Sequence, residues 1–403
     1  MQYRRIPGTG EEISILGFGC MRLPVRGGRI DGPRAEAMLK RAVEAGINYF
    51  DTAVPYHKGE SEPFLGRALA GGLREGVLLA DKLSPWLVAA RADLEPYLAG
   101  QLKRLRTDRI DYYLLHALDR EFWEKLRGLG TIEFLENARR RGQIRNLGFS
   151  YHGDPDTFRE IVDAYGWDFC QIQYNFIDRR LQAGEAGLEY AASRGLGVMI
   201  MEPLRGGGLV RNLPPAVADA WKRAPGDLSP AQRSLRWIWN RPEATTVLSG
   251  MSAPGQLEEN LAAAAAAPLP GELEPEEAEQ VERVAALYRD LARTGCTGCR
   301  YCLPCPAGVD IPRCFELLDG LAVFGGLGRH RRLYLLGPGG INGPRSDAAL
   351  CTGCGLCETA CPQGLPVREL LREADSVLGG WRLRLGRFPA RFWMKLRRRL
   401  RRS

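Results

Sequence analysis

The chain has 403 residues, 45% of them apolar, with 48 Gly and 26 Pro, a composition that suits a loop-rich globular enzyme and excludes a disordered chain. No apolar run reaches the ~18–20 residues that cross a bilayer, and the opening "MQYRRIPGTGEEIS" lacks the apolar stretch of a secretory signal, so a cytoplasmic protein is expected. The formal net charge of +8 belongs to one end: Trp381 to Ser403 holds ten Lys or Arg and no acid, leaving −2 for the rest.

In chain order, eight short apolar runs read as strands: 13–19, 49–53, 77–83, 111–118, 144–150, 169–175, 197–203 and 245–251. Helical patterns lie between them, among them 33–46, 93–105, 131–142 and 232–240. Continuously apolar strands, each followed by a helix, predict a parallel sheet covered on both faces. Eight such units in ~250 residues fit a (β/α)8 barrel better than an open sheet. "GFGCMR" has no third glycine in register for a G-x-G-x-x-G phosphate loop.

In such a barrel, chemistry sits at the C-terminal ends of the strands. The polar residues expected there are Asp51 and Tyr56 after strand two, Lys82 on strand three, His116 on strand four, Asn175 on strand six and Glu202 on strand seven. Alone, each has a plain structural reading, as a helix cap or a satisfied polar group. Together, Asp, Tyr, Lys and His form a proton relay. A phenol with an ordinary pKa of about 10 is a poor acid or base at neutrality, and a neighbouring ammonium is expected to lower it. Asp51 holds Lys82, Tyr56 exchanges the proton, and His116 orients the substrate oxygen.

These residues carry a resemblance. "YFDTAVPYHKGESEPFLGRAL", "LLADKL", "YYLLHAL", "GFSYHG", "QIQYNFID", "MEPLRGGGL" and "VLSGMSAPGQLEEN" are similar, in order, to the signature segments of the aldo-keto reductase family, over about residues 1 to 265. The resemblance implies a barrel that binds a nicotinamide dinucleotide and transfers hydride to or from a carbonyl or alcohol. It makes Tyr56 the general acid/base, with Asp51, Lys82 and His116 completing the catalytic set. It implies cofactor contacts from Gly19, Cys20, Met21, Asp51, Ser150, Gln173, Tyr174, Glu202, Leu204, Arg205, Gly206, Gly250, Gln256, Glu259 and Asn260. Family members that prefer NADPH often carry a Lys-Ser pair and an Arg where this chain has Gly250, Met251 and Gln256; Arg205 is the candidate replacement cation. NADP(H) is expected, with NAD(H) left open.

Nine of the eleven cysteines lie between 296 and 361. "CTGCRYCLPCP" and "CTGCGLCETACP" place Cys296, Cys299, Cys302 and Cys305 in one run and Cys351, Cys354, Cys357 and Cys361 in another. One tetrahedral zinc site would use only half of them. C-x2-C-x2-C-x3-C-P is the signature of [4Fe–4S] ferredoxins, in which the fourth cysteine ligates the other cluster. The second run fits it; the first is one residue short before Cys305. Crossed ligation accommodates the difference, with Cys296, Cys299, Cys302 and Cys361 on one cluster and Cys351, Cys354, Cys357 and Cys305 on the other. A single cluster on the second run is the alternative, and Cys314 reads as a buried spare thiol.

The two runs resemble the C-terminal extension of a branch of aldo-keto reductases fused to a ferredoxin-type domain. The helical insert between them is similar to the α-helical ferredoxins. The expected division is a barrel over 1–270, a linker helix over 271–292, a ferredoxin-type domain over 293–375 and a basic tail over 376–403. The tail alternates Phe, Trp, Met and Leu with cations, which suits an anionic membrane surface, an acidic electron carrier or a solvated segment. No nucleic-acid-reading element is present.

The expectation is therefore an NAD(P)H-dependent oxidoreductase acting on a small carbonyl or alcohol, with clusters for electron transfer. A hydride carries two electrons and a cluster passes one, so exchange between them calls for an outside ferredoxin or flavoprotein, or else the clusters are structural or sensory. A redox-sensing dinucleotide-binding protein with little carbonyl turnover is the alternative.

Overall fold

A computed structural model describes residues 1–296, 298–341 and 343–380. The chain divides into two units, Met1–Arg211 with Ala224–Glu282, and Asn212–Arg223 with the residues from Arg283 onward. The cationic stretch from Trp381 on lies outside the described residues, and with it the contact expected of the tail.

In the first unit, eight parallel strands close into a barrel: β1 (Leu16–Gly19), β2 (Tyr49–Asp51), β3 (Leu78–Leu83), β4 (Ile110–Leu118), β5 (Ile144–Tyr151), β6 (Phe169–Gln173), β7 (Gly197–Met201) and β8 (Ala244–Ser249). Each pairs with its neighbours in sequence, and β8 closes on β1 through Val247 opposite Leu16. The order follows from the βαβ repeat, since every crossover helix returns the chain beside the strand it left.

Several strands are shorter than their apolar runs. The run at 13–19 splits: Glu12–Ser14 pairs antiparallel with Tyr3–Arg5, and only Leu16–Gly19 joins the barrel. Strands β6, β7 and β8 stop two residues early, where the backbone turns into loops; Glu202 follows β7 with φ 55°, outside any strand geometry.

Side chains alternate inward and outward with a period of two. The lower interior is apolar: Tyr49, Tyr112, Phe169, Ala80, Met199 and Leu248 pack with Ile6 and Ile13 of the N-terminal hairpin. Tyr112 meets Tyr49 and Phe169 edge to face at 5.2 and 5.0 Å between ring centroids. Two residues further along the same strands come Asp51, Lys82 and Gln171, so a polar layer sits on the plug. Among the described residues no helix is long and apolar enough to cross a membrane.

A helix runs over Pro275–Asp290, and the division between the units falls inside it. The second unit is built on helices Ile311–Phe324, Leu327–Leu336 and Val367–Ala374. Ile311, Phe315, Leu318, Tyr334, Leu371 and Leu378 form its core together with Cys314, which is fully buried. Six of the patterned cysteines pack against this core.

Candidate functional site

At the C-terminal mouth of the barrel, Lys82 is fully buried and organises its neighbours. Its ammonium donates to Asp51 Oδ1 at 2.6 Å, to the carbonyl of Thr52 at 2.8 Å and to the Tyr56 hydroxyl at 3.2 Å. Tyr56 reaches this position from a tight turn, Tyr56–Gly59, in which His57 and Lys58 both adopt φ above +50° or at it. Left-handed backbone at two successive non-glycine residues is a local strain. His57 helps hold the turn by accepting the Leu23 N–H at 3.2 Å. His116 lies edge-on to Tyr56, 6.2 Å between centroids, with Ser84 Oγ 3.2 Å from its Nδ1 and Trp86 against its ring at 5.1 Å.

The electrostatics differ from the sequence expectation. Loss of water around the Tyr56 hydroxyl raises its pKa to about 12, and the pull of Lys82 only partly opposes that. The phenol therefore keeps its proton at neutrality; it is poised as an acid rather than brought down to serve as a base. Burial on its own lowers Lys82, but Asp51 and Tyr56 outweigh it and the ammonium stays charged. Burial pushes the Asp51 carboxyl up against the attraction of Lys82, and its buried Oδ2 has no partner among the described residues.

Burial, with the charge of Lys82, holds His116 well below the ordinary imidazole value of 6.5. A depressed pKa contributes stability above the unfolded value and loses it as pH falls below, because the unfolded chain takes up a proton that the folded chain refuses. His116→Gln is accordingly expected to flatten the decline of the thermal midpoint between about pH 6.5 and 5. An equally steep decline in the variant contradicts this.

Beside this group, Ser150 of β5 and Gln171 of β6 stand opposite each other in register. The Ser150 hydroxyl accepts the Ala117 N–H at 2.7 Å, at a residue with φ 52°. Among the described residues the buried Gln171 has no partner for its Oε1, and its Nε2 meets only the Met201 sulfur at 3.5 Å. Gln173 is committed at both ends: its Nε2 donates to Asp178 at 2.9 Å and its Oε1 accepts from Gln182 at 3.0 Å. Tyr174, next in the chain, faces the other way, buried and stacked on Trp237 at 5.5 Å. The period of two separates the residues that sequence reasoning grouped. Gln171 was missed because "QIQYN" offers two inward glutamines, and only their partners distinguish them.

The loops after β7 and β8 supply a cationic edge. Arg205 pairs with the buried Asp178 at 3.1 Å, a carboxylate that also takes the Asn175 amide at 2.9 Å, so Arg205 is engaged within the protein. Arg22, from the turn Cys20–Arg22 after β1, lies between the two loops. A side chain on Gly206 would collide with its guanidinium, and a Cβ on Gly250 would stand 2.9 Å from its Cδ. Arg22 has no carboxylate partner among the described residues. Of the remaining predicted contacts, Gly19 ends β1, Cys20 is buried beside Asp51, and Met21 is 54% exposed. Glu202 contributes its carbonyl to Asn175, and Leu204 precedes the turn Arg205–Gly207. Gln256 Oε1 accepts the Ser252 N–H, the buried Asn260 bonds Ser249, and Glu259 lies beside it on the helix Pro254–Ala265.

The second unit holds the other arrangement. Cys305, Cys351, Cys354 and Cys357 line one cavity, and Cys296, Cys299 and Cys361 another, with Cys302 touching both. The last cysteine of each run thus sits with the first three of the other. Among the described residues no three His, Cys, Asp or Glu side chains converge as ligands of a single metal ion. The thiols surround space instead, and four soft donors around a cavity suit an iron–sulfur cube better than one tetrahedral zinc.

The aldo/keto reductase family model matches residues 15–285, and the 4Fe-4S dicluster domain model residues 295–366. Methylglyoxal reductase YeaE of Escherichia coli (strain K12) is 30% identical over 244 residues, 57% of this chain and 80% of that protein. Aldo-keto reductase YhdN of Bacillus subtilis (strain 168) is 29% identical over 297 residues, covering 64% and 87%. The solved structure of aldo-keto reductase AKR11C1 from Bacillus halodurans, in its holo form, superposes with a TM-score of 0.60 at 27% identity, over 70% of this chain and 96% of that one.

Proposed function

The chain belongs to the aldo/keto reductase family, and from that premise we propose an NAD(P)H-dependent reductase of small carbonyls that also holds two [4Fe–4S] clusters. The observation that carries the catalytic part is the buried Lys82, within hydrogen-bonding reach of both Asp51 and Tyr56. The Tyr56 hydroxyl gives its proton to the carbonyl oxygen as that oxygen becomes an alkoxide. Lys82 stabilises the phenolate left behind, and Asp51 keeps Lys82 charged and in place. His116, neutral and tied through Nδ1 to Ser84, has Nε2 left to orient the same oxygen. Trp86, 38% exposed beside His116, offers an apolar wall to a small substrate.

The mouth fits a dinucleotide. Ser150 and the orphaned Oε1 of Gln171 suit a carboxamide, and Arg22, packed against the bare backbone at Gly206 and Gly250, is placed to meet phosphates. A nicotinamide bound there supplies the hydride. Arg22, rather than the engaged Arg205, is the cation that meets the phosphates. A charge-assisted hydrogen bond of about 1.5–3 kcal/mol corresponds to a rise of about tenfold or more in KM for NADPH in Arg22→Met. With ground state and transition state bound alike, kcat is expected to stay unchanged. An unchanged KM removes Arg22 from the site.

Crossed sets of four cysteines around two cavities support two clusters. Reduced thiolate ligands are consistent with a cytoplasmic setting. Anaerobic assay with NADPH and small carbonyls, starting from methylglyoxal because a relative is named for its reduction, tests the enzyme reading. Tight dinucleotide binding with no turnover of any small carbonyl or alcohol overturns it.

A further inference from the structure

The two cysteine-lined cavities differ in what surrounds them. Each includes one exposed cysteine, Cys299 in one and Cys354 in the other, so both come close to solvent. Tyr301 and Leu356, 69% and 59% exposed, are large apolar side chains that both line the cavity of Cys305, Cys351, Cys354 and Cys357. Among the described residues the other cavity has no exposed large apolar side chain in its lining; Ile311, Phe315 and Val367 there are buried. Two large apolar side chains exposed at the rim of one cavity give that rim an apolar contact face.

Beside this collar stands a cation without a carboxylate partner. From Leu291 to Val309 there is no acidic residue, and the exposed Arg300, next to Tyr301 in the chain and itself in the lining of the other cavity, has no carboxylate partner among the described residues. The nearest carboxylate of the second run, Glu358, is bonded by the Arg368 guanidinium at 2.7 Å, which neutralises it. A surface with an apolar centre and an unbalanced cation fits an acidic partner.

Resting on the two-cluster reading above, we propose that Tyr301, Leu356 and Arg300 form the docking surface for an acidic one-electron carrier protein, and that the cluster held by Cys305, Cys351, Cys354 and Cys357 is the port through which electrons enter. One electron leaves the carrier's reduced centre and one arrives at the cluster. The carrier is oxidised by one, the cluster reduced by one, and no bond or proton changes. Only a protein surface can exploit the collar; a small reductant reaches the exposed Cys354 edge without it.

The test uses the full chain, purified anaerobically with its clusters, mixed in stopped flow with a reduced plant-type [2Fe–2S] ferredoxin of acidic surface, and separately with dithionite. Cluster bleaching by the ferredoxin is expected to slow at least tenfold in Tyr301→Ser/Leu356→Ser and severalfold in Arg300→Glu, and to slow with rising salt in the parent. Bleaching by dithionite is expected to stay the same in all of them. Equal ferredoxin rates in parent and variants overturn the docking surface, as does a parallel loss with dithionite. Should the double variant lose iron, Tyr301→Thr carries the test alone, since its side chain lies largely outside the core. A parent chain without iron overturns the cluster reading together with the port, whereas a loaded but carrier-insensitive chain overturns the port only.

Discussion

Tyr56→Phe is expected to lower kcat/KM for carbonyl reduction by about 10²- to 10⁴-fold, the range that a positioned general acid contributes. The substitution removes one oxygen and keeps the ring that lies edge-on to His116, 6.2 Å away, so the turn and the barrel should be undisturbed. Dinucleotide affinity is the control, because Tyr56 takes no part in the carboxamide or phosphate contacts; it should change by less than about twofold.

The pH dependence gives the same assignment a second check. With the Tyr56 pKa raised to about 12, the protonated acid is present throughout the ordinary range. Reduction in the unaltered enzyme should then be level between about pH 6 and 9. Oxidation of the alcohol needs the phenolate and should rise about tenfold per pH unit over the same range. A variant that reduces carbonyls at the parental rate, or a reduction rate that falls tenfold per unit above pH 7, removes Tyr56 as the acid.

The second large effect concerns the clusters. Cys361→Ala should cost about four of about eight irons per chain, and the cluster lost should be that of the first cysteine run. Crossed and uncrossed ligation give opposite results in double variants. Cys361 lines the cavity of Cys296 and Cys299, so Cys361→Ala with Cys296→Ala should lose little more iron than either alone. Cys361→Ala with Cys354→Ala should lose both clusters, because Cys354 belongs to the other cavity. Non-additive loss marks residues that serve one group. If the first pair loses both and the second pair only one, ligation is not crossed. Carbonyl reduction with NADPH should survive Cys361→Ala, since Tyr56, Lys82 and Asp51 are held within the barrel unit.

Much of this was legible before any coordinates. Eight apolar runs, each followed by a helix, determined a closed parallel barrel, because a strand without polar alternation has to be covered on both faces. Asp51, Lys82 and His116 lie on strands and follow the strand period, so their convergence could be read from position alone. Tyr56 was harder, since it arrives from a turn with left-handed backbone at His57 and Lys58 that no periodicity encodes. The cysteine spacing pointed to two interleaved sets, and the helical insert 311–324 was visible in its pattern.

What the sequence by itself determined was therefore the local: which runs form strands, which side chains alternate inward, which thiols share a motif. What only the tertiary structure decided was the partner of each polar group. Lys82 could be placed next to Tyr56, but whether its charge outweighs the loss of water at the phenol depends on enclosure by residues far apart in the chain. Gln171 and Gln173 are alike in type and period, but Asp178 and Gln182 engage the amide of Gln173, whereas the Oε1 of Gln171 has no partner among the described residues. Arg205 is bonded to Asp178 and Arg22 has no such partner among the described residues, a distinction made across nearly two hundred residues of sequence. Hydrophobic periodicity is a property of neighbours along the chain, whereas desolvation and hydrogen-bond commitment are properties of neighbours in space.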